Sequence, residues 1–202
     1  MFRVFCIAIG YLIGCIQTAF IVSKFWRVDL RTQGSGNLGT TNALRVLGKK
    51  AGAVTFVGDI MKSVVAFLIC RAFFEEAGNL AGLYGSIGAI LGHNYPFYLQ
   101  FKGGKGIAVM IGMTLAIAFT MNPWVALPTA VLGFGAVFAT GYVSLGSLLF
   151  SAVLPVTCWY LGFPAEMLLV LAGASCLAFW RHRANIVKLL NGTENKFGAK
   201  KK

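Results

Sequence analysis

Apolar residues run almost unbroken through seven stretches of the chain, at 2–23, 52–73, 79–92, 106–120, 123–139, 144–161 and 164–180, and each stretch predicts a helix. A bilayer-crossing helix needs about 20 apolar residues, so most of these runs are long enough to span. The third and fourth are short and flank the polar segment 93–105, which is therefore expected to re-enter the membrane surface rather than stand in water. The first run carries Gln17 and Thr18 in its middle, lacks a small-x-small end and is followed by Lys24, so it reads as a permanent helix and not a cleaved signal peptide.

Composition fixes the solvent. With 57% hydrophobic and 12% charged residues the chain cannot hide its apolar surface inside a soluble globule. The expected fold is all-α and polytopic, a single membrane domain over 1–202 with about seven transmembrane helices and short cytoplasmic loops. If seven spans alternate, fifteen of the eighteen Lys and Arg fall on one side, leaving Arg3 and Arg71 opposite and Lys62 inside a helix. The positive-inside rule then places the N-terminus outside and the C-terminus in the cytoplasm.

The net charge of +12 does not point to nucleic acid, because the cations alternate with Gly, Asn and Thr and form no aromatic-basic platform. Much of it sets topology and attracts anionic lipid. Cys6, Cys15, Cys70, Cys158 and Cys176 are odd in number, lie in apolar runs and show no CxxC pairing, so they are expected to pack and not to bind metal. The tail 198–202 is expected to be disordered.

Three polar islands interrupt the hydrocarbon. In the first, Gly34, Gly36 and Gly39 free the backbone to turn its amides toward one point, while Ser35, Asn37, Thr40, Thr41 and Asn42 supply neutral donors and Arg45 a forked cation. The same composition also describes an ordinary loop with a helix cap at Thr41 or Asn42. In the second, His93 is followed by Lys102-Gly103-Gly104-Lys105-Gly106 ahead of a helix, so open amides and the positive helix end face an anion. It is not a Walker A loop, since Leu99 and Gly106 stand where Gly and Ser or Thr are required. The third, 181–196, reads as one amphipathic interfacial helix on which His182 and Asn185 share a face. Within the second apolar run, Asp59 and Lys62 lie three apart and can pair, either as a clamp between helices or as part of a site.

Taken in order, Gly34-Ser35-Gly36-Asn37-x-Gly39-x-Thr41-Asn42-x-x-Arg45, Asp59-x-x-Lys62, Gly92-His93-x-x-Pro96, Phe101-Lys102-Gly103-Gly104-Lys105-Gly106, Tyr142 to Ser147, Arg181-His182-Arg183-x-Asn185-Ile186 and Gly192-Thr193-Glu194-x-Lys196 resemble the PlsY family. These are bacterial membrane glycerol-3-phosphate acyltransferases, and the resemblance runs from the first helix to the tail. It implies transfer of a fatty acyl group from acyl-phosphate to the 1-hydroxyl of glycerol 3-phosphate, giving lysophosphatidate and inorganic phosphate. It also implies a multi-pass protein of the bacterial inner membrane, with no cofactor or metal, linked in function to the soluble enzyme that makes acyl-phosphate. The pattern departs at Gln17, where Pro is expected, Ser63 for Gly, Val109 for Thr, and Gly141 for Arg. The His-x4-Asp dyad of other glycerolipid acyltransferases is absent, with Tyr98 and Val187 at those distances from the two histidines.

Carried onto this chain, the resemblance makes Ser35, Asn37, Arg45, Lys105, His182, Arg183 and Asn185 the expected catalytic set. Gly34, Gly36, Thr41, Asn42, His93, Lys102, Gly103, Gly104, Gly106, Ser144 and Glu194 are the expected substrate-binding set. Amides around Gly103 and Gly104 are expected to face developing negative charge. The proton acceptor is expected to be the substrate phosphate, with His93 and His182 as rivals. Competing readings are a transporter of a phosphorylated solute, which the one-sided cations disfavour, and a non-enzymatic scaffold, which has no use for three anion-shaped islands.

Overall fold

Each apolar run forms a helix, and among the described residues, 1–197, no strand occurs. The computed structural model divides into two units, Met1–Thr120 and Met121–Lys202. The first holds α1 (Phe2–Gly14), α2 (Thr18–Phe25), α3 (Thr40–Leu47), α4 (Lys49–Phe73), α5 (Gly78–Asn94) and α6 (Ile107–Thr120). The second holds α7 (Ala126–Thr140), α8 (Val143–Tyr160), α9 (Ala165–Arg181) and α10 (Arg183–Leu190). Among the described residues, four segments are long and apolar enough to cross a bilayer: Phe2–Phe25, Lys49–Phe73, Pro123–Thr140 and Val143–Tyr160. The tail expected at 198–202 lies outside the described residues.

Two expectations are corrected. The first run is not one continuous helix, because α1 ends at Gly14 and α2 restarts at Thr18, with Gln17 extended at φ −85°, ψ 94°. The third island is not one helix either. The His182 carbonyl accepts the first bonds of α10 from Asn185 and Ile186, and after Leu190 the chain turns at Gly192 (φ 68°) into a non-helical segment. The second half of the first island also folds, as the amphipathic α3, which places Asn42 and Ala43 inward and leaves Arg45 exposed.

Apolar and polar positions are arranged as lipid demands. Val4 and Leu12 on α1, Val57 and Met61 on α4, Leu127 and Val131 on α7, and Leu169 on α9 are all exposed, whereas Gln17, Thr55, Asp59, Lys62, Ser86 and His93 are buried. In hydrocarbon there is no hydrophobic drive between helices, so association rests on close backbone approach through small residues. In the first unit, α1 and α5 meet through Gly10 and Gly14 facing Gly85, Gly88, Ala89 and Gly92. A Cβ on Gly88 would strike the Ile7 carbonyl, and one on Gly92 the Tyr11 carbonyl. In the second unit, Gly133 and Gly146 let α7 and α8 approach in the same way.

Replacing Gly88 with Leu is expected to separate α1 from α5 and to cost about 3 kcal/mol or more through overpacking. Gly135→Ala, where nothing lies within 4 Å, should change stability by about 0.5 kcal/mol or less. Thermal unfolding of both variants in detergent measures the contrast, and equal effects would remove the α1–α5 contact as the cause.

Candidate active site

The first island is a loop closed by its own side chains. Gly34 (φ 63°) and Gly36 (φ 71°) take the left-handed turns, and a side chain on Gly34 would strike Asn42 Oδ1. Asn42 is buried, its Oδ1 accepting from the Ser35 amide at 2.9 Å and its Nδ2 donating to the carbonyls of Leu30 at 3.2 Å and Gln33 at 3.1 Å. Its side chain therefore shapes the loop. Arg31 grips Asp29 through Nε at 3.0 Å and Nη2 at 2.8 Å, which holds that carboxyl at about 2 and cancels the one acid of the loop. Ser35 and Arg45 remain exposed, and Asn37 and Thr41 are half-buried.

An apolar cluster fastens this loop to the second island. Leu30, Leu38 and Ala43 pack with Ala19 of α2 and with Leu99, which begins the approach to Lys102. Burial of each leucine is worth about 1.5–3 kcal/mol. That anchor offsets strain at Gln100 (φ 55°) and Phe101 (φ 58°), two consecutive non-glycine residues in the left-handed region, each costing about 1–3 kcal/mol. Strain of this kind at the entrance to a glycine loop is a site signal that composition does not carry.

Beyond it, the Gly103 amide donates to the Asn94 carbonyl and the Gly104 amide to the His93 carbonyl, both at 3.1 Å. This corrects the expectation that these two amides face the anion. The first-turn amides of α6, at Ile107, Ala108 and Val109, have no intrahelical acceptor. Gly103 and Gly104 serve close approach: a Cβ on Gly103 would strike the His93 carbonyl, and one on Gly104 the His93 Nε2, with the Leu38 carbonyl 2.7 Å away. The two loops are thus in contact at Gly104. Gly106 (φ 85°) turns the chain into α6 over the buried Asn94, whose side-chain polar atoms have no partner among the described residues. Lys102 is exposed and Lys105 half-buried.

Beneath this loop lies a buried charged network. Lys62 Nζ lies 3.0 Å from Asp59 Oδ1, 2.7 Å from His93 Nδ1 and 3.1 Å from the Ile16 carbonyl. Asp59 Oδ1 also accepts from Thr18 Oγ1 at 3.1 Å, where Gly58 lets α2 approach α4. The Ile16 carbonyl is available because the helix is broken there, and Tyr98 Oη likewise donates to the Cys15 carbonyl at 2.8 Å. Gln17 Nε2 donates to the His93 carbonyl at 2.9 Å. Gln17 and Tyr98 support the site and stand outside the expected set; the polar pair Gln17 and Thr18 within the first apolar run is a signal for the former only.

In the second unit, Glu194 Oε1 accepts from Ser144 Oγ at 3.0 Å and from Asn185 Nδ2 at 2.8 Å. The segment carrying it is held further by the Phe197 amide on the Gly141 carbonyl at 2.7 Å and by Lys196 Nζ 5.6 Å from the Tyr142 ring centroid. His182 is buried, with Nδ1 2.8 Å from the Ala178 carbonyl. Arg183 is exposed, stacked on Trp180 at 4.6 Å and donating to its carbonyl at 3.0 Å. The structure thus joins Ser144, Asn185 and Glu194, and turns Arg183 toward Trp180.

The family model for glycerol-3-phosphate acyltransferase matches residues 4–192. Among curated relatives, the glycerol-3-phosphate acyltransferase of Clostridioides difficile is 43% identical over 197 residues, covering 96% of this chain and 94% of its own. That of Thermoanaerobacter pseudethanolicus is 39% identical over 201 residues, covering 99% and 98%. The crystal structure of PlsY, an integral membrane glycerol 3-phosphate acyltransferase, in its glycerol 3-phosphate form superposes with a TM-score of 0.88 at 35% identity, covering 97% of this chain and 96% of that one. The lysophosphatidic acid form gives 0.86 at 34%. With the family model matching residues 4–192 and the fold shared over 97% of the chain, this protein belongs to the PlsY family of integral membrane glycerol-3-phosphate acyltransferases.

Proposed function

We propose that the acyl donor is acyl-phosphate and that the products are 1-acyl-glycerol 3-phosphate and inorganic phosphate. The observation that carries this reading is the contact of two cation-bearing glycine loops at Gly104, one of them opening onto the first turn of α6. Such a loop suits a phosphate monoester or acyl-phosphate better than a bulky carrier thioester, because open amides and a positive helix end recognise compact anionic oxygens.

In the reaction, the glycerol 1-oxygen attacks the acyl carbonyl, the bond from that carbon to the phosphate oxygen breaks, and phosphate leaves. The hydroxyl proton passes to a phosphate oxygen. Both substrates are anions that repel, so the protein's work is to hold them together with the hydroxyl aimed at the carbonyl. In this reading Lys102, Lys105 and the α6 first turn take the acyl-phosphate, with Gly103, Gly104 and Gly106 permitting the approach. In the first unit Arg45 takes a substrate phosphate, oriented by Ser35, Asn37 and Thr41; in the second, Ser144, His182, Arg183 and Asn185 are polar groups suited to glycerol 3-phosphate. Gly34, Gly36 and Asn42 hold the first loop in shape, and Glu194 sets Ser144 and Asn185. The fatty chain stays in lipid, where each CH₂ contributes roughly 0.8 kcal/mol. We place the protein in the bacterial inner membrane with seven crossings, the N-terminus outside and the cationic loops at the cytoplasm, supplied by a soluble enzyme that makes acyl-phosphate.

Purified protein in detergent is expected to release phosphate only when acyl-phosphate and glycerol 3-phosphate are both present. Acyl-CoA at the same concentration should give no comparable product, and vesicles should show no vectorial uptake; the reverse result on either count overturns the donor or the reaction class. Arg45→Ala is expected to raise KM for glycerol 3-phosphate by roughly 10- to 100-fold, as follows from the loss of hydrogen bonds to a charged group. Arg45→Lys should recover only part of this, since an ammonium lacks the planar fork. His182→Gln that abolishes turnover while glycerol 3-phosphate still binds would assign the proton to His182 and not to the substrate.

A further inference from the structure

The Asp59–Lys62 pair lies in α4 and makes no direct contact with either glycine loop, yet it touches the ring of His93, whose other nitrogen abuts Gly104. The chemistry of the partners fixes how this ring is protonated. Asp59 and the Ile16 carbonyl are acceptors only, so each claims a Lys62 proton. The third partner of Lys62 is His93 Nδ1 at 2.7 Å, whereas Asp59 Oδ1 is 3.6 Å from that nitrogen and too far to take a hydrogen from it. The Asp59 carboxylate at 3.0 Å and the Ile16 carbonyl at 3.1 Å both favour the ammonium form of Lys62, so the shared proton is assigned to Lys62. His93 Nδ1 is then the acceptor, and the ring proton sits on Nε2, at the loop.

His182 has the opposite arrangement. Its Nδ1 faces the Ala178 carbonyl at 2.8 Å, an atom that can only accept, so Nδ1 carries the proton and Nε2 the lone pair.

We infer that His93 is a neutral, Nε2-protonated hydrogen-bond donor at the Gly103–Gly106 loop, locked in that tautomer by the intramembrane Asp59–Lys62 pair, and that it is a positioning residue rather than a proton acceptor. The inference rests on the reading of that loop as the acyl-phosphate site only for its kinetic consequence; the tautomer is argued from the Lys62 contacts. Its mechanical side is also on the page, since the His93 carbonyl holds the Gly104 amide and Gln17 holds that carbonyl in turn. Lys62, Asp59 and Gln17 therefore act on the loop through His93, from inside the bundle.

The full-length protein with ¹⁵N-labelled histidine tests the tautomer directly. It has two imidazoles, and His93→Gln identifies one by the loss of its resonances. The expected spectrum at pH 7 shows His93 with a protonated Nε2 and a bare Nδ1, His182 with the reverse, and a His93 Nδ1 that shifts in Lys62→Met. A doubly protonated His93, or one protonated at Nδ1, overturns the assignment whatever the enzyme's donor.

Kinetics test the role. Gln reaches about as far as Nε2 and donates without being able to act as a base, so His93→Gln should keep kcat/KM within roughly 10-fold of the parent, and His93→Ala should lose roughly 100-fold, in KM for acyl-phosphate and not for glycerol 3-phosphate. If Gln is as inactive as Ala and the acidic limb of the pH profile vanishes with it, His93 is the base and the inference fails. Absence of turnover with acyl-phosphate in the parent protein would instead reject the donor, leaving the spectrum to decide the tautomer.

Discussion

A lysine ammonium buried among apolar helices must have all three protons accepted, because an uncompensated charge in a low-dielectric interior costs several kcal/mol. Lys62 meets that requirement with one carboxylate, one imidazole and one main-chain carbonyl. Each acceptor comes from a different place: Asp59 from the same helix, His93 from the end of α5, and Ile16 from a helix that is broken where its carbonyl is needed. The break between α1 and α2 would itself be costly in hydrocarbon, since the carbonyls it frees have no water to bond. Lys62 and Tyr98 supply the missing donors. Charge and break therefore compensate each other, and neither is tolerable alone.

The loops above this network are built for shape as much as for charge. Asn42 places three hydrogen bonds inside the first loop, and the Gly103 and Gly104 amides are taken by the end of α5. What these loops leave exposed are the side chains of Ser35, Arg45 and Lys102. Rigid interior bonding with exposed cations is the arrangement that preorganised electrostatic catalysis requires, since the donors need not reorganise as charge develops. In the second unit the same economy holds, with one carboxylate oxygen of Glu194 setting both Ser144 and Asn185.

Much of this was legible in the chain. The apolar runs located α4 to α9 to within about three residues because hydrocarbon length is a strong and local constraint, and glycines beside cations located the loops. What escaped was contact between distant positions. Gln17 reads as a polar interruption, and nothing local reveals that it bonds the His93 carbonyl 76 residues away. The 181–196 segment looked like one helix because its apolar spacing continues, whereas His182 ends α9 and its carbonyl starts α10. Gly103 and Gly104 looked like amide donors, and the competing acceptors were hidden because α5 had to fold back onto them.

Helix packing and site chemistry then prove to be one construction. Because lipid offers no drive for helices to associate, α1 and α5 must meet backbone to backbone, which is why Gly14 and Gly92 face each other's helices with no room for a Cβ. That approach brings Gly92 against the Cys15 amide at the end of α1. The next residue along α5 is His93, so this close contact delivers its ring to Lys62 and its carbonyl to Gln17. A looser pairing of the same helices, with alanines for glycines, would move His93 away from both. The small residues that let the bundle form are therefore also what sets the position of the second loop, through a ring whose two nitrogens face a buried cation and a glycine.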